Sequence, residues 1–195
     1  MKKKKKKLRA DLKLFLQKLF LEADQRLMTY ETEGTTATVT LLWCKGEQRY
    51  IQSANVGDSS VFLIRGGRAI PLSVDHKVDH PDEVERMKAA GMTLNKGQNR
   101  INGLALCRTL GDHFIKQNFP GVTADPFVSP VYALTEEDTH VIMASDGLWD
   151  VMTGQEAYDL TQHLTSPQDM ANKLMNAALS SGKCTDNVTI IVALL

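Results

Sequence analysis

The hydrophobic rhythm of the chain changes near Gly34. Before it, Leu8, Leu12, Phe15, Leu16, Leu19 and Phe20 recur at helical spacing with Lys and Gln between them, which predicts a helix over about residues 8–28 with one apolar face. After it, ATVTLLW (37–43), RYIQSANV (49–56) and SVFLIR (60–65) are rich in β-branched and aromatic residues, and Gly66-Gly67 before RAIPLS marks a hairpin turn. Pro81 and Gly91 bracket a short helix at about 82–90. The stretch 92–132, dense in Gly, Asn and Pro, predicts loop with short strands.

Beyond it, VIMAS (141–145) reads as a strand, and Thr153 with Glu156 forms a capping box for a helix to about Leu164. Ser166, Pro167 and Asp169 open a second helix, with Met170, Leu174, Ala177 and Ala178 inward and Gly182 at its close. The last segment, NVTIIVALL (187–195), is nearly all apolar and is expected to be buried on both faces. Strands joined by hairpins and interspersed with helices predict an α+β domain.

A length of 195 residues suits one domain with a single core. No apolar run reaches the roughly 18 residues that a bilayer-spanning helix needs. The net charge of zero hides an asymmetry, because Lys2, Lys3, Lys4, Lys5, Lys6 and Lys7 supply six of 23 basic residues and leave the rest at minus six. An acidic body with a basic tag argues against a nucleic-acid-binding fold, whose basic face lies on the folded part. Residues 1–7 are expected to be a disordered basic lead and residues 8–195 the domain. The helix after the lysines has two readings: an anionic-membrane contact, or an ordinary helix packed on the domain. Cys44, Cys107 and Cys184 are widely spaced without a C-x-x-C pair, which predicts reduced thiols in a cytoplasmic or nuclear compartment, each an ordinary buried side chain.

The chemistry concentrates at strand ends. In VIMASDGLWDV (141–151) a strand runs into Asp146 and Asp150, and Asp186 precedes the last strand in CTDNVTIIV. If those strands pair antiparallel, Asp146 and Asp186 emerge at one rim. Asp58, in NVGDSS, also interrupts a strand pattern beside a glycine. Aspartates at strand ends without matching histidines are hard oxygen ligands suited to Mg²⁺ or Mn²⁺. Asp-Gly is equally an ordinary turn pair. His76 and His80, four apart, suggest a zinc pair, but Pro81 and the surrounding acids favour a loop entering a helix. Arg100 and Arg108 are candidates to contact phosphate or to form structural salt bridges, and Trp43 and Trp149 read as core residues.

GTTATV (34–39), NVGDSS (55–60), DHK (75–77), RINGLALCRTLGD (100–112), SDGLWDV (145–151) and TDNVT (185–189) occur in the order and approximate spacing of metal-dependent protein phosphatases of the PP2C (PPM) family. The chain resembles that family over nearly its whole length. The resemblance implies an antiparallel β-sandwich flanked by helices, hydrolysing phosphoserine and phosphothreonine with two Mn²⁺ or Mg²⁺ ions. It makes Asp146 and Asp186 ligands of a catalytic metal, places Asp58 with Asp146 at a weaker third metal position, and puts Asp150 in the outer shell. Ser60 stands where the family has Arg, and Cys107 where Ser is usual. The family's D-G-H-G-G motif, acidic pair and phosphate-binding Arg have no counterpart here, since the only Asp-Gly is Asp146-Gly147. The sandwich is therefore expected to be incomplete, metal binding weakened, and the chain weak or inactive as a phosphatase, with a non-catalytic interaction module as the alternative. Its partners are then a phosphoprotein substrate or protein partner, with weak anionic-membrane contact through the lysines.

Overall fold

The computed structural model describes the backbone of residues 2–195 and the side chains of residues 12–195. In chain order the elements are α1 (Lys2–Arg26), β1 (Gly34–Thr35), β2 (Ala37–Lys45), β3 (Gln48–Val56), β4 (Ser60–Arg65), β5 (Arg68–Pro71), α2 (Pro81–Ala89), β6 (Leu110–Gly111), α3 (His113–Asn118), β7 (Phe127–Val128), β8 (Tyr132–Ala133), β9 (Asp138–Ala144), α4 (Asp146–Trp149), α5 (Gly154–Thr161), α6 (Pro167–Ser180) and β10 (Ile190–Leu194). They form two compact units: residues 1–39, 54–58 and 75–128, and residues 40–53, 59–74 and 129–195.

The second unit is a helix-covered antiparallel sandwich. Its main sheet has the order β10-β9-β4-β5. β4 and β5 are joined through Gly66 and Gly67, both at positive φ, as a two-residue hairpin turn requires. Alternation along the strands divides the apolar residues by face. Ile64, Ile142 and Ala144 meet Leu148, Ala157, Leu174 and Ala178 of the covering helices. Val61, Leu63 and Val141 on the other face meet Ile51, Leu72 and Leu134. Each fully buried Leu or Ile contributes about 1.5–3 kcal/mol, so this double-sided burial holds β4 and β9 as the central strands. The capping box at Thr153 is present in full, with its hydroxyl accepting from Glu156 N–H and the Glu156 carboxylate accepting from Thr153 N–H.

The first unit gathers α1, the short β1–β6 pair, α2, α3 and the loop-rich segment around them. Val78, Met87, Ile101, Cys107 and Val122 form its core. Where the sequence suggested one core, packing thus forms three clusters.

Three expectations need correction. Along α1 only Leu16 and Phe20 of the apolar stripe are fully buried, while Phe15 and Leu19 are exposed and the Leu8 side chain lies outside the described residues. A fully buried face reduced to Leu16 and Phe20 is narrow, because residues four apart lie one above the other on the same side of a helix. β10 is an edge strand and not buried on both faces, with Ile191 56% exposed and Leu194 exposed beside it. Trp43 is half-buried and stacks on Tyr50, with ring centroids 5.7 Å apart, instead of entering the core. α3 and α4 were not foreseen, since four to six residues carry too little periodicity to register.

Candidate functional site: a carboxylate rim at the strand ends

In the second unit β9 and β10 pair antiparallel, with Ala144 opposite Ile190. Asp146 follows the end of β9 and Asp186 precedes β10, so the pairing brings both segments to the same rim of the sheet. Ser145 staples them. Its N–H donates to Thr189 O at 3.1 Å, its hydroxyl donates to Asn187 O at 3.2 Å, and it accepts from Thr189 N–H at 3.1 Å. Gly147 completes the contact: a Cβ there would lie 2.4 Å from Asn187 O, a separation no larger side chain tolerates. The sulfur of Cys184 sits 3.4 Å from the carbonyls of both Gly147 and Asp186.

Asp146 is the first residue of α4, where a carboxylate is favoured by the helix dipole. The turn is anchored from behind by Trp149, whose indole N–H is 3.0 Å from Ala144 O and 3.1 Å from Ser60 O, with its ring tilted against Phe62. Asp150 caps α4, donates its N–H to Asp146 O at 2.7 Å and is exposed. Asp186 is exposed, and one of its oxygens accepts from Asn187 N–H at 2.6 Å. The rim therefore offers oxygen donors of the kind that hard cations take, on segments locked by backbone contacts. Among the described residues no group of three or more His, Cys, Asp or Glu side chains is gathered tightly enough to hold a metal ion.

In the first unit Asp58 is buried, with Lys77 Nζ 3.9 Å from its carboxylate. Beside it, Gly57 N–H donates to His76 Nδ1 at 3.1 Å, and His76 N–H donates to Gly57 O at 3.1 Å. Burial, followed by repulsion from Arg108, lowers the His76 pKa to about 4, so its ring is neutral and acts as an acceptor. This is a structural role for the DHK segment.

Arg108 is bound into a buried network that linear reading missed. The Glu83 carboxylate accepts from Arg108 and Arg86, Arg86 Nη2 donates to Gly121 O at 2.8 Å, and Cys107 Sγ lies 2.9 Å from Glu83 Oε2. Burial pushes Glu83 up, but the bonds from Arg108 and Arg86 outweigh it and hold the pKa at about 2. Burial and the Glu83 carboxylate push the Cys107 thiol up to about 12. Arg100 is exposed and donates to its own loop at Gly103 O, 2.7 Å away. The only local hint of the network was Glu83 and Arg86 three apart on α2. Arg108, more than twenty residues on, gives no such signal.

The family profile described as "Protein phosphatase 2C" matches residues 1–188. A probable protein phosphatase of Dictyostelium discoideum is 47% identical over 176 residues, which are 90% of this chain and 18% of that protein. Protein phosphatase 2C homolog 1 of Saccharomyces cerevisiae is 37% identical over 201 residues, 95% of this chain and 69% of that one. Among solved structures, a serine-threonine phosphatase 2C from Toxoplasma gondii superposes with a TM-score of 0.78 at 23% identity, covering 97% of this chain and 69% of that chain. The chain spans about a fifth of the length of the two Dictyostelium relatives it matches at 44–47% identity.

Proposed function

The chain belongs to the protein phosphatase 2C family, and from that premise we propose that it carries part of a metal-dependent site that hydrolyses phosphoserine and phosphothreonine esters in proteins. The observation that supports this most is the β9–β10 register, which sets the Asp146 and Asp186 segments side by side. Asp146 and Asp186 would hold Mn²⁺ or Mg²⁺, Asp150 would act from the outer shell, and Asp58, matched on its motif, would serve a weaker metal site. A divalent cation bound there supplies positive charge to the phosphoryl group and acidifies water at neutral pH.

The chain's own part is positional. Ser145 fixes the spacing of the two loops, and Trp149 holds the α4 turn against the sheet. The substrate class is a phosphoprotein. Because Asp146-Gly147 is the one Asp-Gly pair in the sequence, we expect this chain by itself to turn over weakly. Its three thiols are free, which supports work in a reducing compartment, cytoplasmic or nuclear. The lysines at 2–7 supply a contact for an anionic membrane surface.

The deciding assay is hydrolysis of a phosphothreonine peptide in Mn²⁺, with EDTA and Asp146→Ala as controls. Turnover lost in both controls supports the reading. Turnover that survives Asp146→Ala overturns the assignment of the rim, and a folded but inactive chain turns the reading toward a non-catalytic interaction module.

A further inference from the structure

Among its described side chains, residues 12–26, α1 presents two apolar faces, and one of them meets protein. Leu16 and Phe20 are buried and Leu12 is half-buried. Leu14 (52% exposed), Phe15 (55%) and Leu21 point away, as does Met28 just past the helix. Leu14 and Leu21 are seven residues apart and so share the outward face, with exposed Lys18 between them and exposed Lys13 alongside. A single exposed leucine is ordinary, but Leu14, Phe15 and Leu21 exposed together on the outward side of one helix make a patch.

The charge around this patch is one-sided. The helix as a whole carries ten basic and three acidic residues, a net of plus seven, against minus seven for the rest of the chain. Of the two acids between residues 12 and 26, Asp24 turns inward, where it accepts from Lys116 Nζ at 2.5 Å and from Gly111 N–H at 2.8 Å. Only Glu22 stays on the surface with the lysines. Outward apolar side chains beside Lys13 and Lys18, after a polylysine run in the sequence, supply the two contacts a bilayer surface takes: apolar groups at the headgroup boundary and cations for anionic lipid.

We propose that the Leu14, Phe15 and Leu21 face of α1 is a docking surface for an anionic lipid bilayer. This rests on the reading of the lysines at 2–7 as a membrane contact and adds the apolar face that sits in the headgroup region. It is independent of the phosphatase site.

The test is co-sedimentation of the full chain with phosphatidylcholine vesicles, with and without phosphatidylserine, in parallel with sedimentation velocity. The parent chain is expected to bind only the phosphatidylserine vesicles, less tightly as salt rises, and equally with or without EDTA. Leu14→Gln combined with Phe15→Gln should weaken binding by about tenfold or more, since each large buried side chain adds to partitioning. Both positions are exposed, so an unchanged melting curve verifies that the variant folds. Full binding by the Leu14→Gln, Phe15→Gln variant overturns the face while sparing the lysines. Full binding by a variant with residues 2–7 changed to Gln overturns the lysine reading on which the proposal rests. No vesicle binding, with a dimer that the double variant abolishes, assigns the face to a second copy and overturns the proposal.

Discussion

Single side chains in this protein differ sharply in reactivity for reasons of neighbourhood. Cys44 is exposed on β2, while Cys107 is buried against Glu83 with its pKa pushed up to about 12. Since the thiolate is the reactive form, iodoacetamide followed by peptide mass spectrometry should label Cys44 first and Cys107 only after unfolding. Glu83 makes a second prediction. Its pKa is held at about 2, below the unfolded value of roughly 4.3, so the folded state binds fewer protons. That contribution is complete above the unfolded value and is lost as pH falls toward about 2. Urea unfolding across this range should show an acid-side loss in the parent that is reduced in Glu83→Gln. At neutral pH the substitution should cost about 3 kcal/mol, because it leaves Arg86 and Arg108 without their buried counter-charge.

Elements are positioned by contacts that a sequence pattern anticipates only in part. Gly154 opens α5, and a Cβ there would stand 2.6 Å from the Phe62 ring of β4. Gly154→Ala therefore sets a helix-propensity gain of about 1 kcal/mol against overpacking of roughly 1–3 kcal/mol. The packing cost should prevail, and a lower melting temperature would register it. β10 makes the opposite point. Its apolar run read as a strand buried on both faces, but the structure places it at a sheet edge with Ile191 exposed. Ile191→Lys should stay within about 0.5 kcal/mol of the parent, whereas Ile142→Ala, at a fully buried position of β9, should cost about 2–5 kcal/mol. Urea midpoints of the two variants would compare them directly. The hairpin at Gly66-Gly67, the capping box at Thr153 and the helix opened by Ser166 and Pro167 were all legible locally, since each is a rule about neighbours in the chain.

At the scale of the molecule, the test of the carboxylate rim need not depend on catalysis. If Asp146 and Asp186 hold a divalent cation, Mn²⁺ at a hundredfold excess over its Kd should stabilise the chain by about 2.7 kcal/mol. Differential scanning fluorimetry should show that shift in the parent and lose it in Asp186→Asn. An equal shift in the variant would remove Asp186 from the ligand set. The aspartates themselves were visible in the sequence because a carboxylate interrupting an apolar strand breaks the pattern. Their common rim followed once Ala144 and Ile190 were found opposite one another, a register that depends on the sheet and not on either strand alone. Local sequence by itself determined the alternation of strands and helices, the turns, the caps and the family motifs, because these rest on spacing within a few residues. Tertiary structure alone decided which apolar face of α1 is buried, which strand became an edge, and that Glu83 joins Arg108. Those outcomes depend on partners brought together across dozens of residues, where no local periodicity carries the information.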